Sequence, residues 1–188
     1  MTRGTERVIA RERGGLHIRP AREADRTPLL SLLERTGMFT SPEIEVAREL
    51  IDAWLYKPEQ RDYFVLTAEA DSGVAGYVCY GPTPATEGTF DLYWIAVDPD
   101  LQGRGIGRAL LERAEKEVLA AGGRLLVIET SSVPLYAPTR AFYEARGYRV
   151  EARIRDFYRP GDDRLIFTRR LASSPGGPFR SGSGAIPE

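Results

Sequence analysis

The chain has 188 residues, with 26 Lys+Arg against 27 Asp+Glu, a formal net charge of −1, one cysteine and one histidine. A single domain of this length buries roughly 70% of its unfolded surface and needs no disulfide or metal to hold it together. A lone Cys79 excludes intrachain disulfides and cysteine-built zinc sites. A lone His17 excludes paired-histidine metal sites and argues against a Ser-His-Asp triad, so no metal is expected. The even charge argues against a nucleic-acid partner and against a polybasic membrane anchor. Chemistry in such a chain must rest on carboxylates, tyrosines and backbone groups.

Residues 1–15 are polar and arginine-rich, without the apolar core of a signal peptide, and read as a flexible segment. No stretch of apolar residues reaches the length of a membrane span, so a cytoplasmic protein is expected. Leu16 to Pro20 alternates as a short strand, and Pro28 to Thr36 reads as a helix ending before Gly37. Ser41 as cap and Pro42 at the first position start a second helix that runs to about Tyr56. Tyr63 to Ala70 and Val74 to Tyr80 form a hairpin, and Thr89 to Val97 a third strand after the loop Tyr80 to Gly88. Ile106, Leu110, Leu111, Ala114 and Val118 mark an amphipathic helix stopped at Gly122-Gly123. Arg124 to Thr130 is a buried strand, Pro138 to Arg146 a short helix, and Tyr148 to Phe157 with Asp163 to Arg170 a last hairpin. The folded unit is residues 16–171, an α+β layered domain of order β-α-α-β-β-β-α-β-α-β-β. Residues 172–188, rich in Ser, Gly and Pro, read as a flexible tail.

The sharpest local signal lies between the third strand and the amphipathic helix. Gln102-Gly103-Arg104-Gly105-Ile106-Gly107-Arg108 alternates glycines, which turn successive N–H groups to one side and admit a ligand close to the backbone. The helix N-terminus adds partial positive charge, and Arg104 and Arg108 add charge-assisted contacts, so the loop suits a pyrophosphate. A Rossmann dinucleotide site is the competing reading. Its third glycine would come one position later, and its preceding strand would sit in a βαβ unit rather than a hairpin.

Gln102 to Gly107 fits the Gln/Arg-x-x-Gly-x-Gly/Ala acetyl-CoA loop of the GCN5-related N-acetyltransferase (GNAT) family, which this chain resembles. Phe142-Tyr143-Glu144-Ala145-Arg146-Gly147-Tyr148 is similar to the family's FYExxGF segment. The resemblance covers the folded region and implies a single GNAT-like domain whose mixed, mostly antiparallel central sheet is flanked by helices. It implies an acetyl-CoA-dependent N-acetyltransferase that moves the acetyl group to a primary amine by direct attack in a ternary complex. The alternative is a non-catalytic acyl-CoA-binding or sensing module.

The resemblance also implies roles. The backbone of Ile95, Ala96 and Val97 and the loop from Gln102 to Arg108 hold acetyl-CoA, and Tyr143 is the acid to the leaving thiolate. Where the family commonly carries an asparagine against the cofactor, this chain has Tyr136. Glu129 and Asp91 are alternative bases, on the two strands that flank the cofactor. Strand alternation places Asp91, Tyr93 and Ile95 on one face and Leu92, Trp94 and Ala96 on the other. Met38, Phe39, Tyr80, Tyr93 and Tyr158 are candidate acceptor contacts, with the loop Tyr80 to Gly88 framing the entrance. The acceptor is a small-molecule or peptide amine, and the protein a monomer or homodimer. Cys79 and His17 read as structural.

Overall fold

In the computed structural model, residues 15–171 are described, so the segments 1–14 and 172–188, expected to be flexible, lie outside the described residues. The elements are β1 (His17–Pro20), α1 (Arg26–Thr36), α2 (Ser41–Tyr56), β2 (Phe64–Ala70), β3 (Gly73–Pro82), β4 (Thr89–Val97), α3 (Ile106–Ala120), β5 (Leu125–Ser131), α4 (Ala137–Glu144), β6 (Arg149–Arg159) and β7 (Asp162–Arg170). Three single 3-10 turns, at Glu23–Asp25, Pro99–Leu101 and Pro134–Tyr136, punctuate the connections. The order matches the one read from the sequence.

The strands form one sheet in the order β1-β2-β3-β4-β5-β7-β6. Every pairing is antiparallel except β4 with β5. That parallel pair is joined by the α3 crossover, as a parallel connection requires. One face carries α3 and α4, packed over Leu66, Val78, Phe90, Leu92, Leu126 and Phe167. The other carries α1 and α2, packed over Val65, Tyr77, Cys79 and Ala96. No helix among the described residues is long and apolar enough to cross a membrane.

Local chemistry explains the boundaries. The cap of α2 is Thr40, one residue before the expected Ser41, and Pro42 falls second rather than first. Thr40 wins because Glu43 stands three residues on: its carboxylate accepts from the Thr40 N–H at 2.7 Å, while the Thr40 hydroxyl oxygen accepts from the Glu43 N–H. Tyr148, expected to open β6, is instead 2% exposed and donates to Glu115 of α3 at 2.8 Å. Arg169 of β7 reaches the same carboxylate at 2.6 Å, tying the crossover helix to the last strand. β6 is the far edge, exposed along its length, with two register shifts against β7.

The β1 end is held by a buried pair. Arg19 donates to Asp25 at 2.6 and 3.0 Å and to Glu69 at 2.8 Å, with Arg19 and Asp25 both buried. Burial alone would raise the Asp25 carboxyl, but hydrogen bonds from Arg19 and the Arg22 amide outweigh it and hold the group below its usual range. Removing Asp25 leaves the buried Arg19 charge with only the half-exposed Glu69 to answer it. Asp25→Ala should therefore cost about 3–5 kcal/mol, on the order of 10 °C in Tm, in thermal unfolding at pH 7. Because the folded-state value is depressed, this stabilisation is complete above about pH 4 and fades as acid protonates the folded carboxyl. Parent and variant should converge only in acid.

Candidate active site

β4 and β5 pair from Thr89 with Leu125 to Leu92 with Ile128 and no further. Both strands continue, to Val97 and Ser131, so their facing edges separate into a gap. A cleft of about 910 Å³ opens over that gap. Its walls come from the α1–α2 loop, from β4, from β5 with the turn that follows, and from the tip of the β6–β7 hairpin.

A β-bulge shapes the β4 wall. Consecutive residues Cys79 and Tyr80 of β3 face Trp94 and Leu92, leaving Tyr93 as the extra residue. The bulge corrects the expected alternation. Tyr93, Trp94 and Ala96 pack with the α1–α2 face, whereas Phe90, Leu92, Ile95 and Val97 pack with the α3 face. Ile95 is thus parted from Tyr93, and Leu92 from Trp94. Tyr80, expected at the acceptor, pairs with Leu92 and is carried with it into the α3-side core, 5% exposed and stacked on Phe64 at 5.5 Å. Tyr80 does not line the cleft, and neither does the rest of the loop to Gly88.

Of the other expected residues, Met38, Phe39, Asp91, Tyr93, Glu129, Tyr136, Tyr143 and Tyr158 all line it, as do Ile95, Ala96, Val97 and Gln102. Phe39 meets the edge of Trp94 at 5.4 Å, seating the α1–α2 loop on β4. Tyr93 meets Tyr63 at 5.5 Å, and burial with the nearby Asp91 charge pushes its hydroxyl up to about 12. Tyr143 is 4% exposed, its ring held by Phe142, Tyr148 and Phe167. Burial pushes its hydroxyl well above the usual tyrosine range, so it stays a neutral donor at neutral pH. Tyr136 donates to the Met38 carbonyl at 2.9 Å. Tyr158 stands half exposed at the hairpin tip, its hydroxyl raised by burial and by Asp162 and Glu43.

The two carboxylates differ in their partners. Asp91 accepts from the Thr83 hydroxyl at 2.8 Å, a neutral partner. Glu129 is ion-paired with Arg164 of β7, which also lies over the Phe157 ring at 4.6 Å. Neither Thr83 nor Arg164 is visible as a site residue in the sequence, because each reaches its acid through strand register rather than through a motif. Cys79 is fully buried and its thiol pushed far up by burial, an inert core residue. His17 is exposed on β1. No group of His, Cys, Asp or Glu among the described residues is arranged to hold a metal.

The glycine loop leaves β4 beside the cleft. Asp98 caps the turn Pro99–Leu101 and is gripped by Arg35 of α1 at 2.7 and 3.1 Å. Gln102 folds back to donate to the Val97 carbonyl at 3.3 Å. Gly103 at φ +75° and Gly105 at φ +85° hold left-handed conformations, and a Cβ at either would meet nothing within 4 Å. The loop is therefore an open backbone turn that ends on the N-terminus of α3, with Gly105 as its cap. Arg104 is exposed there and forms no ion pair among the described residues. Arg108 is also exposed, paired with Glu112 at 2.7 Å.

Comparison with known proteins agrees with this geometry. The family described as Acetyltransferase (GNAT) matches residues 27–148. An acetyltransferase of Photorhabdus laumondii is 30% identical over 137 residues, which is 70% of this chain and 88% of the relative. A crystal structure of a GNAT-family protein from Desulfovibrio desulfuricans is 46% identical, with a TM-score of 0.81 over 84% of this chain and 100% of that one. An aminoglycoside 6'-N-acetyltransferase complexed with coenzyme A has the same fold, with a TM-score of 0.67 over 85% of this chain and 99% of its own, at 16% identity.

Proposed function

The chain belongs to the acetyltransferase (GNAT) family and is an enzyme of that class, and on that premise we propose that it transfers the acetyl group of acetyl-CoA directly to a primary amine bound in the same cleft. The observation that carries this reading is the gap between β4 and β5, with the glycine loop at its end and a buried neutral tyrosine on its wall. A redox dinucleotide site needs its third glycine one position after Gly107 and a sheet of successive parallel βαβ units, whereas β4–α3–β5 is the one such unit of an otherwise antiparallel sheet among the described residues.

The residues fit the donor. The free edge of β4 from Tyr93 to Val97 presents backbone groups to an extended pantetheine chain, in the manner of an added strand. The exposed turn at Gly103 and Gly105, the α3 N-terminus and Arg104 supply donors and positive charge for a pyrophosphate. Acetyl-CoA brings an activated acyl group, and the chain's own residues handle orientation and protons. The amine nitrogen forms a bond to the thioester carbon as the carbon–sulfur bond breaks. The amine proton passes through water to Glu129, on the splayed part of β5. Asp91 is a second candidate because its partner is a neutral hydroxyl and its charge is not balanced by a cation. Tyr143, protonated at neutral pH and on the cleft wall, gives its proton to the departing sulfur.

Three measurements test this. Acetyl-CoA at a hundred times its Kd should stabilise the protein by about 2.7 kcal/mol, a Tm rise on the order of 5–10 °C. Gly105→Glu, which forces a side chain into a left-handed position and sets a carboxylate beside the pyrophosphate, should abolish the rise. No shift in the parent protein would remove the donor from the reading. Tyr143→Phe should lower kcat about 100-fold, with acetyl-CoA affinity and Tm little changed; an unaltered kcat would deny the hydroxyl its role. Glu129→Gln should lose at least roughly tenfold in rate at pH 7 and recover as rising pH strips the amine proton without help. The same profile in Asp91→Asn alone would move the base to Asp91.

A further inference from the structure

The two sides of the cleft are joined beneath it by the sheet, and above it by very little. α1 and α2 sit on the β2–β4 half, seated through Phe39 on Trp94. The other wall follows β5: the turn Pro134–Tyr136, α4 and the β6–β7 hairpin. Among the described residues, one side-chain hydrogen bond joins residues 26–56 to residues 129–170, from the Tyr136 hydroxyl to the Met38 carbonyl. No ion pair among the described residues joins them.

The local structure supports a fixed span. Pro134 starts the 3-10 turn, and Tyr136 is its last residue and the cap of α4. At the far end, α1 stops at Gly37 in a left-handed conformation, and the Thr36 hydroxyl oxygen accepts from the Met38 N–H at 3.3 Å. Thr40 then opens α2 through its capping box. The Met38 carbonyl is thus presented by a loop defined on both sides. Trp94, Phe39, Met38, Tyr136 and the turn after β5 close a ring over the gap where β4 and β5 part. Glu43, Asp162 and Tyr158 line the same cleft as Tyr136, and the Glu43 and Asp162 charges add to burial in raising both tyrosine hydroxyls.

We propose that Tyr136 is a positioning residue for the amine acceptor, its hydroxyl strapping the α1–α2 loop across the cleft so that the Met38–Phe39 wall is preset for the amine. This rests on the acetyltransferase reading of the cleft, and it reassigns Tyr136 from the cofactor contact expected of its place in the sequence. The strap fixes the width of the acceptor half. Acetyl-CoA, held by the β4 edge and the glycine loop, does not depend on it.

Tyr136→Phe keeps the ring and removes the bond. Amide hydrogen exchange of the free protein should speed up several-fold in residues 37–41 and stay unchanged in α3. With whichever of spermidine, phenethylamine or a peptide with a free N-terminal alanine the parent acetylates, KM for the amine should rise about fivefold, the loss of one net hydrogen bond. KM for acetyl-CoA and kcat should move by less than about twofold on the same reasoning. Unchanged exchange in residues 37–41 would overturn the strap. An acetyl-CoA KM that rises as much as the amine KM would return Tyr136 to the donor site and overturn the proposal equally. If the parent releases no CoA with any of the three amines, the acetyltransferase reading is what fails, and the exchange measurement still decides whether the strap exists.

Discussion

The site depends on where one parallel pairing stops. Beyond Leu92 and Ile128 the facing edges of β4 and β5 have no partner in each other, although each strand is held from behind, β4 by β3 and β5 by β7. A gap flanked by two anchored strands is rigid, and its edges carry backbone donors and acceptors that something must satisfy. A linear chain of amides such as pantetheine is well suited to do so, because it can bond as a strand does. The glycine loop then needs no further device to find the other end of the same molecule, since it leaves the strand that lines the gap.

The bulge at Tyr93 makes that gap usable. It rotates β4 so that Tyr93, Trp94 and Ala96 turn to the α1–α2 side while Ile95 and Val97 remain in the α3 core. One strand thereby anchors itself with alternate residues on both sides and still presents aromatic surface to the cleft. The same rotation decides which tyrosines line the cleft. Tyr93 does, whereas Tyr80, one strand away and paired on the other side of the bulge, is buried in the core.

What was legible in the sequence was local. The glycine alternation from Gly103 to Gly107, the stop at Gly122-Gly123 and the periodic helix between them are signals within a few residues, and they set the turn before α3 and the order of elements. What was not legible depends on register. The bulge cannot be read from β4 alone, because it is a relation between β4 and β3. Arg164 meets Glu129, and Thr83 meets Asp91, only after strands have paired. The Tyr136 to Met38 bond joins residues 98 apart in the chain. Even the Thr40 cap turned on Glu43, a partner three residues further on.

The balance of charge acquires a different meaning once its geometry is known. Among the described residues many cations are already paired: Arg19 with Asp25 and Glu69, Arg26 with Asp52, Arg35 with Asp98 and Asp100, Arg108 with Glu112, Arg113 with Glu117. Pairing of this kind cancels the field at a distance and leaves it wherever a partner is missing. Arg104, in the open loop before α3, is such a place for an anion. Asp91, facing the cleft with only a hydroxyl beside it, is such a place for a cation. A near-neutral protein can therefore hold a basic group suited to a pyrophosphate beyond one end of β4 and an acidic group suited to a protonated amine near the other, kept apart by the length of the strand.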